Sequence, residues 1–255
     1  MKMIFHQNGT SWEADLDLGV DVSVSVEGQG RGVSAWGLKP AEIRPYREGS
    51  FTGSVRAGAS VNFNDIRFNP HAHGTHTECM GHITPEGESL LNHPPPAWLL
   101  ATLISIEPEV RGTYRVVSRK QLQKALSTPV SQAVVLRTLP NPEAKKQTDY
   151  SGTNPPYLES QGVDWLRDQG VKHLLLDLPS VDREEDGGVL AAHKAFWGLP
   201  GHPRPEATIT EFIYVPQQLV DGVYLLNLQV AAFDNDACPS RPVLFPLKPV
   251  DTQLG

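Results

Sequence analysis

Glycine and proline each occur 22 times among 255 residues, and no single tract gathers them. Glycine admits backbone angles that other residues avoid, and proline removes an amide donor, so both interrupt long regular elements. A chain punctuated this often is expected to fold as many short elements joined by turns, not as a helical bundle. Apolar and polar residues alternate at period two over residues 21–26 and 61–68, which predicts half-buried strands. Residues 99–106, 132–138, 171–178, 222–228 and 243–247 read as further strands. Helices are expected over residues 118–126, capped by Ser118, over 157–169 after Pro155 and Pro156, and over 190–197. Gly170 stands where a left-handed residue would close the second of these. Many strands with few helices point to an α/β chain, a mixed sheet with helices packed on it. No repeat, linker or charge block divides the chain, so residues 1–255 read as one domain.

Twenty-two basic against 29 acidic residues leave a net charge of −7. Nucleic-acid binders usually carry a basic stripe, and anionic membranes attract basic segments, so neither partner is expected. The longest nearly apolar run, residues 97–106, is too short to span a bilayer. No apolar stretch follows Lys2, so a secretory leader is not expected. Two cysteines, Cys79 and Cys238, fit a reducing cytoplasm.

Five of the nine histidines fall between positions 71 and 93: His71, His73, His76, His82 and His93. Glu78 lies among them. Crowded imidazoles would repel one another if protonated, whereas a bound cation requires them neutral. Neutral imidazole and carboxylate together suit a transition metal with open positions. Closed structural zinc sites are rich in cysteine, and the one local thiol, Cys79, reads as a small buried hydrophobe. Gly74 allows a sharp turn between the two arms of the segment, and Thr75 is placed to orient a ligand from behind.

This segment resembles the signature of the metal-dependent cyclase family, which includes bacterial kynurenine formamidases and isatin hydrolases. That signature reads His-x-Gly-Thr-His-x-Asp-x-Pro-x-His. Gly74, Thr75, His76 and His82 fall on it directly, and Glu78 stands where the family has Asp. The first family histidine falls on Ala72, which His71 and His73 flank. His71 is preferred because it follows Asn69-Pro70, and His73 is the alternative. Further matches are residues 155–159, 162–166 and 177–182, then Ala192-His193 and Thr210-Glu211-Phe212, so the likeness covers residues 61–247. Residues 198–207 read as an insertion between His193 and Glu211.

The resemblance implies the swivelling β/β/α fold and a divalent metal, zinc or manganese. His71 or His73, His76 and Glu78 would hold one ion, and His193 and Glu211 would join Glu78 around the same or a second ion. His82 would be the catalytic histidine, moving a proton to a leaving nitrogen. The implied activity is hydrolysis of an amide, an aryl formamide such as N-formylkynurenine, or a cyclic amide, in a homodimer or homotetramer acting on a small molecule. The alternatives are a lactone hydrolase or cyclase on related acyl substrates, or a metal- or ligand-binding protein without turnover. Asp177 and Asp182 read first as turn formers. His93 and His202 read as loop residues, and Trp98, Trp165 and Trp197 as core residues or substrate walls.

Overall fold

The computed structural model describes residues 1–7, 10–127 and 129–250. Its largest sheet is mixed and draws strands from both ends of the chain. In spatial order these are Lys2–Gln7, Thr10–Asp15, Val243–Val250, Gly222–Asn227, Trp98–Ile106, Ala133–Thr138, His173–Leu176, Thr208–Glu211, His76–Glu78 and Ala237–Pro239. The four strands from Trp98–Ile106 to Thr208–Glu211 run parallel. Parallel strands are covered on both faces, which is why Ala133–Thr138 reads as an apolar run and is buried throughout.

Alternation along these strands feeds two cores. Val134 and Leu136, with Leu174 and Leu176, pack under helices α1 (Arg119–Ala125), α2 (Ser160–Asp168) and α3 (Ala191–Trp197). Ala133, Val135 and Leu175 face the other way, onto Val22, Ile213 and Val215. Helix α1 starts where expected because the Ser118 hydroxyl and the Gln121 side chain cap each other's amides. Trp197 is fully buried and Trp165 packs against the same core, whereas Trp98 is exposed.

Three expectations are corrected. Residues 21–26 do not form a ladder strand beyond Val20–Asp21. They run extended as a strap instead, with Val22 and Val24 buried and their carbonyls accepting from the Tyr214 and Thr75 amides. Residues 61–68 contribute Asn64–Arg67 to a hairpin with Glu42–Pro45, and all four residues are exposed rather than half-buried. Helix α2 begins at Ser160 and not at Tyr157, because Tyr157 and Leu158 pair with Val116 and Val117.

The 198–207 segment folds back on α3. Arg204 donates to the carbonyls of Phe196 and Val171, and the Trp197 indole donates to the Ala207 carbonyl. His202 and His93 are exposed. No helix among the described residues is long and apolar enough to cross a membrane.

Candidate metal centre

Strand register builds the floor of the site. His76 pairs opposite Glu211, and Glu78 opposite Ile209. Side chains alternate along a strand, so His76, Glu78 and Glu211 share one face. Thr77 and Thr210 share the other, where their hydroxyls meet at 2.8 Å. All three site residues are buried. His76 Nε2 lies 3.4 Å from Glu211 Oε2, and Glu211 Oε1 accepts from the Val181 amide at 2.9 Å.

The turn before this strand is shaped by its glycine and threonine. Gly74 has φ +79°, and a Cβ there would stand 2.9 Å from Val26 Cγ2. The Thr75 hydroxyl donates to the Phe212 carbonyl at 2.5 Å and accepts from the Val24 amide at 2.7 Å. The turn is thereby tied both to the strap and to the residue after Glu211. It carries His71 over the floor, with Nδ1 3.1 Å from Glu78 Oε2 and Nε2 2.8 Å from Asp236 Oδ2.

His82 ends the short turn Met80–His82 and stacks on His71, ring centroids 4.1 Å apart. Its Nδ1 lies 3.4 Å from Asp236 Oδ2 and its Nε2 3.9 Å from Glu78 Oε2. The other wall is α3. Asp182 caps that helix by accepting from the amides of Ala192 and His193, and it also accepts from His193 Nδ1 at 2.7 Å. This leaves His193 Nε2 facing Glu78 Oε1 at 3.2 Å. A carboxylate behind a histidine, fixing its ring and tautomer, is the usual support for a metal-ligating imidazole.

The titration behaviour follows from this crowding. Burial disfavours charge on His71, but Asp236 and Glu78 outweigh it and raise its pKa to about 10. Burial likewise opposes the charge on His193, and Asp182 and Glu78 again prevail, to about 10. Burial would raise Glu78, yet the hydrogen bonds from His193 and His71 hold it well below the usual carboxylate range. Burial and the neighbouring Glu78 charge push Glu211 up. His71 and then His82 hold Asp236 down. The carboxylates favour protons on His71 and His193, and a divalent ion bound here would compete with those protons.

Two observations fit such an ion. His76 Nε2 is buried and makes no hydrogen bond, and Glu78 Oε2 is buried with the His71 ring nitrogen as its near neighbour. An unpaired buried polar atom costs about 1–3 kcal/mol, and one cation between the two would satisfy it. Three overlapping triads also place their ligand atoms within 4.8 Å of one another: His71–His76–Glu78, Glu78–His82–His193 and His71–His82–Asp236. Mixed histidine and carboxylate donors suit zinc, manganese or iron.

The structure therefore gathers His71, His76, Glu78, His82, His193 and Glu211. It does not bring His73 to them. The His73 Nδ1 accepts from the Asn69 amide at 3.0 Å, and its Nε2 meets the Lys39 carbonyl at 3.1 Å. Two participants escaped the sequence reading. Asp236, in an Asn-Asp-Ala-Cys-Pro context that reads as a turn, reaches the site because Ala237–Pro239 pairs with His76–Glu78. Asp182 was weighted as a turn former, and its second task needs α3 in place. Asp177 does not close its own turn: it accepts from the Thr138 amide and hydroxyl and from Lys145, tying its strand end to the neighbouring one. A cavity of about 370 Å³ opens above the cluster, lined by His71, His82, His193, Trp36, Leu38 and Arg183 among others.

The model of the family described as "Putative cyclase" matches residues 7–183. The chain belongs to the cyclase family. Its match to this family ends before α3, so His193, Glu211 and Asp236 rest on the fold rather than on that match. Among curated relatives, the kynurenine formamidase of Bacillus anthracis is 26% identical over 195 residues, covering 76% of this chain and 85% of the relative. That of Bacillus mycoides is 26% identical over 196 residues, with the same coverage. Among solved structures, a potential metal-dependent hydrolase with cyclase activity superposes with a TM-score of 0.64 at 14% identity, covering 89% of this chain and 96% of that one. Isatin hydrolase A of Labrenzia aggregata superposes with a TM-score of 0.63 at 13% identity, covering 89% and 93%. These structures share the cyclase-family fold, and the formamidase relatives support a hydrolase of this family.

Proposed function

We propose that this cyclase-family chain is a metal-dependent hydrolase of carbon–nitrogen bonds other than peptide bonds, acting on an aryl formamide, a related amide or a cyclic amide. The observation that carries the reading is the buried His76 Nε2, which makes no hydrogen bond and lies with His71 and Glu78 in one group of ligand atoms, at a cluster whose His71, His82, His193 and Glu211 line an open cavity. His71, His76 and Glu78 would hold a divalent ion, zinc or manganese, with His193 and Glu211 beside it. Such an ion supplies acidification of water and polarisation of an acyl carbonyl.

His82 is the proton carrier. It is the more exposed partner in its pairings with Glu78 and Asp236, with side-chain exposure of 31%, and it lines the cavity. Asp236 at its Nδ1 holds the ring with Nε2 available. His82 takes a proton from the attacking water and delivers it to the leaving nitrogen, so that the C–N bond breaks as the C–O bond forms. His193, held by Asp182, keeps Glu78 in place.

The test is metal analysis of protein purified without chelator, followed by assays on N-formylkynurenine and isatin. Bound metal with turnover of at least one substrate is expected. His76→Ala should lose metal, and His82→Ala should keep it while losing rate. Turnover by both variants at the parent rate would refute the assignment.

A further inference from the structure

The turn that carries His71 is gripped from outside by a second turn, nearer the start of the chain. Residues 35–38 close through the Leu38 amide and the Ala35 carbonyl, with φ +64° at both Trp36 and Gly37. Two left-handed residues in succession make a type I′ turn, whose first central position ordinarily takes Asn, Asp or Gly. A bulky aromatic there is a backbone outlier, kept only where its surroundings over-determine it. Core packing does not explain it, because Trp36 is 38% exposed.

What the side chain does is donate its indole N–H to the His71 carbonyl at 3.0 Å. The turn bearing this donor is itself anchored on the other side. The Gly37 amide donates to the Ser151 hydroxyl at 2.8 Å, the Ser34 amide to the Thr148 carbonyl, and the Tyr150 amide to the Ser34 carbonyl. The indole therefore reaches His71 from a fixed place.

The receiving turn is otherwise held mainly by its own residues. The Asn69 side-chain oxygen accepts from the His71 amide, and the Asn69 carbonyl from the amides of Ala72 and His73. His73 Nε2 meets the Lys39 carbonyl. Among the described residues it is Trp36 that holds the His71 carbonyl. The His71 ring stands on that peptide, with Nδ1 3.1 Å from Glu78 Oε2. We propose that Trp36 is a positioning residue for the metal centre: its indole N–H fixes the peptide of His71 and thereby the placement of that ring over Glu78. The proposal rests on the metal-dependent reading for the presence of an ion, and the tether itself can be measured without one.

The experiment compares three variants. Trp36→Phe keeps an aromatic ring and removes the donor. Trp36→Asn gives the turn a residue it prefers and removes ring and donor together. Trp98→Phe, at an exposed tryptophan packed on Phe245, is the control. Each metal-free protein is titrated with zinc(II) against a competing chelator, and with cobalt(II), whose visible bands report the geometry of its ligands. Zinc affinity should fall about tenfold or more in both Trp36 variants, the scale of a lost support behind a metal ligand, and the cobalt bands should shift at saturation. Trp98→Phe should match the parent in both. In metal-free Trp36→Phe, amide hydrogen exchange should quicken over residues 71–73 and stay unchanged over 76–78. If Trp36 mattered only to the shape of its own turn, Trp36→Asn would bind zinc like the parent, and that result overturns the proposal. So does a fall in affinity with unchanged cobalt bands and unchanged exchange over residues 71–73, or an equal fall in Trp98→Phe. A parent that bound neither ion would count against the metal-dependent reading alone, and the exchange measurement would still decide the tether.

Discussion

The two halves of the metal centre are built by different means. His76, Glu78 and Glu211 sit on paired strands, buried, with positions set by register. His71, His82 and Asp236 sit on turns, are partly exposed, and are set by contacts with one another. Strand positions are fixed by a ladder of backbone bonds and tolerate little displacement, which suits ligands. Turn positions open onto the cavity, where His71 closes the ligand set over Glu78 and His82 is left free to exchange protons with a substrate. Glu78 joins the two halves, because its oxygens face His71, His82 and His193.

The sharpest way to break this division is at that junction. Glu78→Gln keeps the shape and removes the charge. It is expected to abolish stoichiometric metal binding, a larger loss than the about 10–100-fold typical of supporting residues. Metal content after dialysis checks this, and a variant that retains its ion would show that the strand half does not need the carboxylate. Next in size is His82→Ala, expected to lower kcat by about 10²–10⁴-fold with metal content intact. Loss of metal in His82→Ala would make His82 a ligand and not the proton carrier.

What the sequence disclosed follows the same line. Local signals were sufficient where one short segment does the work. The crowding of His71, His76 and His82 around Glu78 marks the site in one segment, and Ser118 announces the start of α1. Gly74 was legible too, since its left-handed angle is a local need. Signals failed where an element's fate is decided by what packs on it. The alternation over residues 21–26 does bury Val22 and Val24, but their backbone is claimed by Thr75 and Tyr214, so no ladder forms. The alternation over residues 61–68 has no sheet to lie against. Asp236 becomes visible only once a distant strand pairs with His76–Glu78, and Trp36 only once its indole finds the His71 carbonyl. Neither contact leaves a trace in spacing.

Smaller effects test the supports. Asp182→Asn leaves an acceptor for the amides of α3 but weakens the hold on His193 Nδ1. A fall of about 10–100-fold in metal affinity is expected, read by competition with a chelator, with only a modest change in thermal midpoint. A midpoint that collapsed while affinity held would make Asp182 a helix cap and nothing more.

The smallest effect on metal is expected at His73, and it separates two histidines that stand only one residue apart. His71 reaches Glu78 and Asp236, whereas His73 spends both ring nitrogens on the Asn69 amide and the Lys39 carbonyl. The first bond closes the turn on itself and the second ties it to Lys39, ahead of Glu42–Pro45. Their loss in His73→Ala should cost stability, about 1–3 kcal/mol for a buried group whose backbone partners are left unpaired. Bound metal per chain should not change. His71→Ala should shed the ion, because His71 reaches Glu78 and Asp236, and its midpoint should match that of the metal-free parent. If His73→Ala lost metal and His71→Ala kept it, the contacts at the turn would have been read the wrong way round.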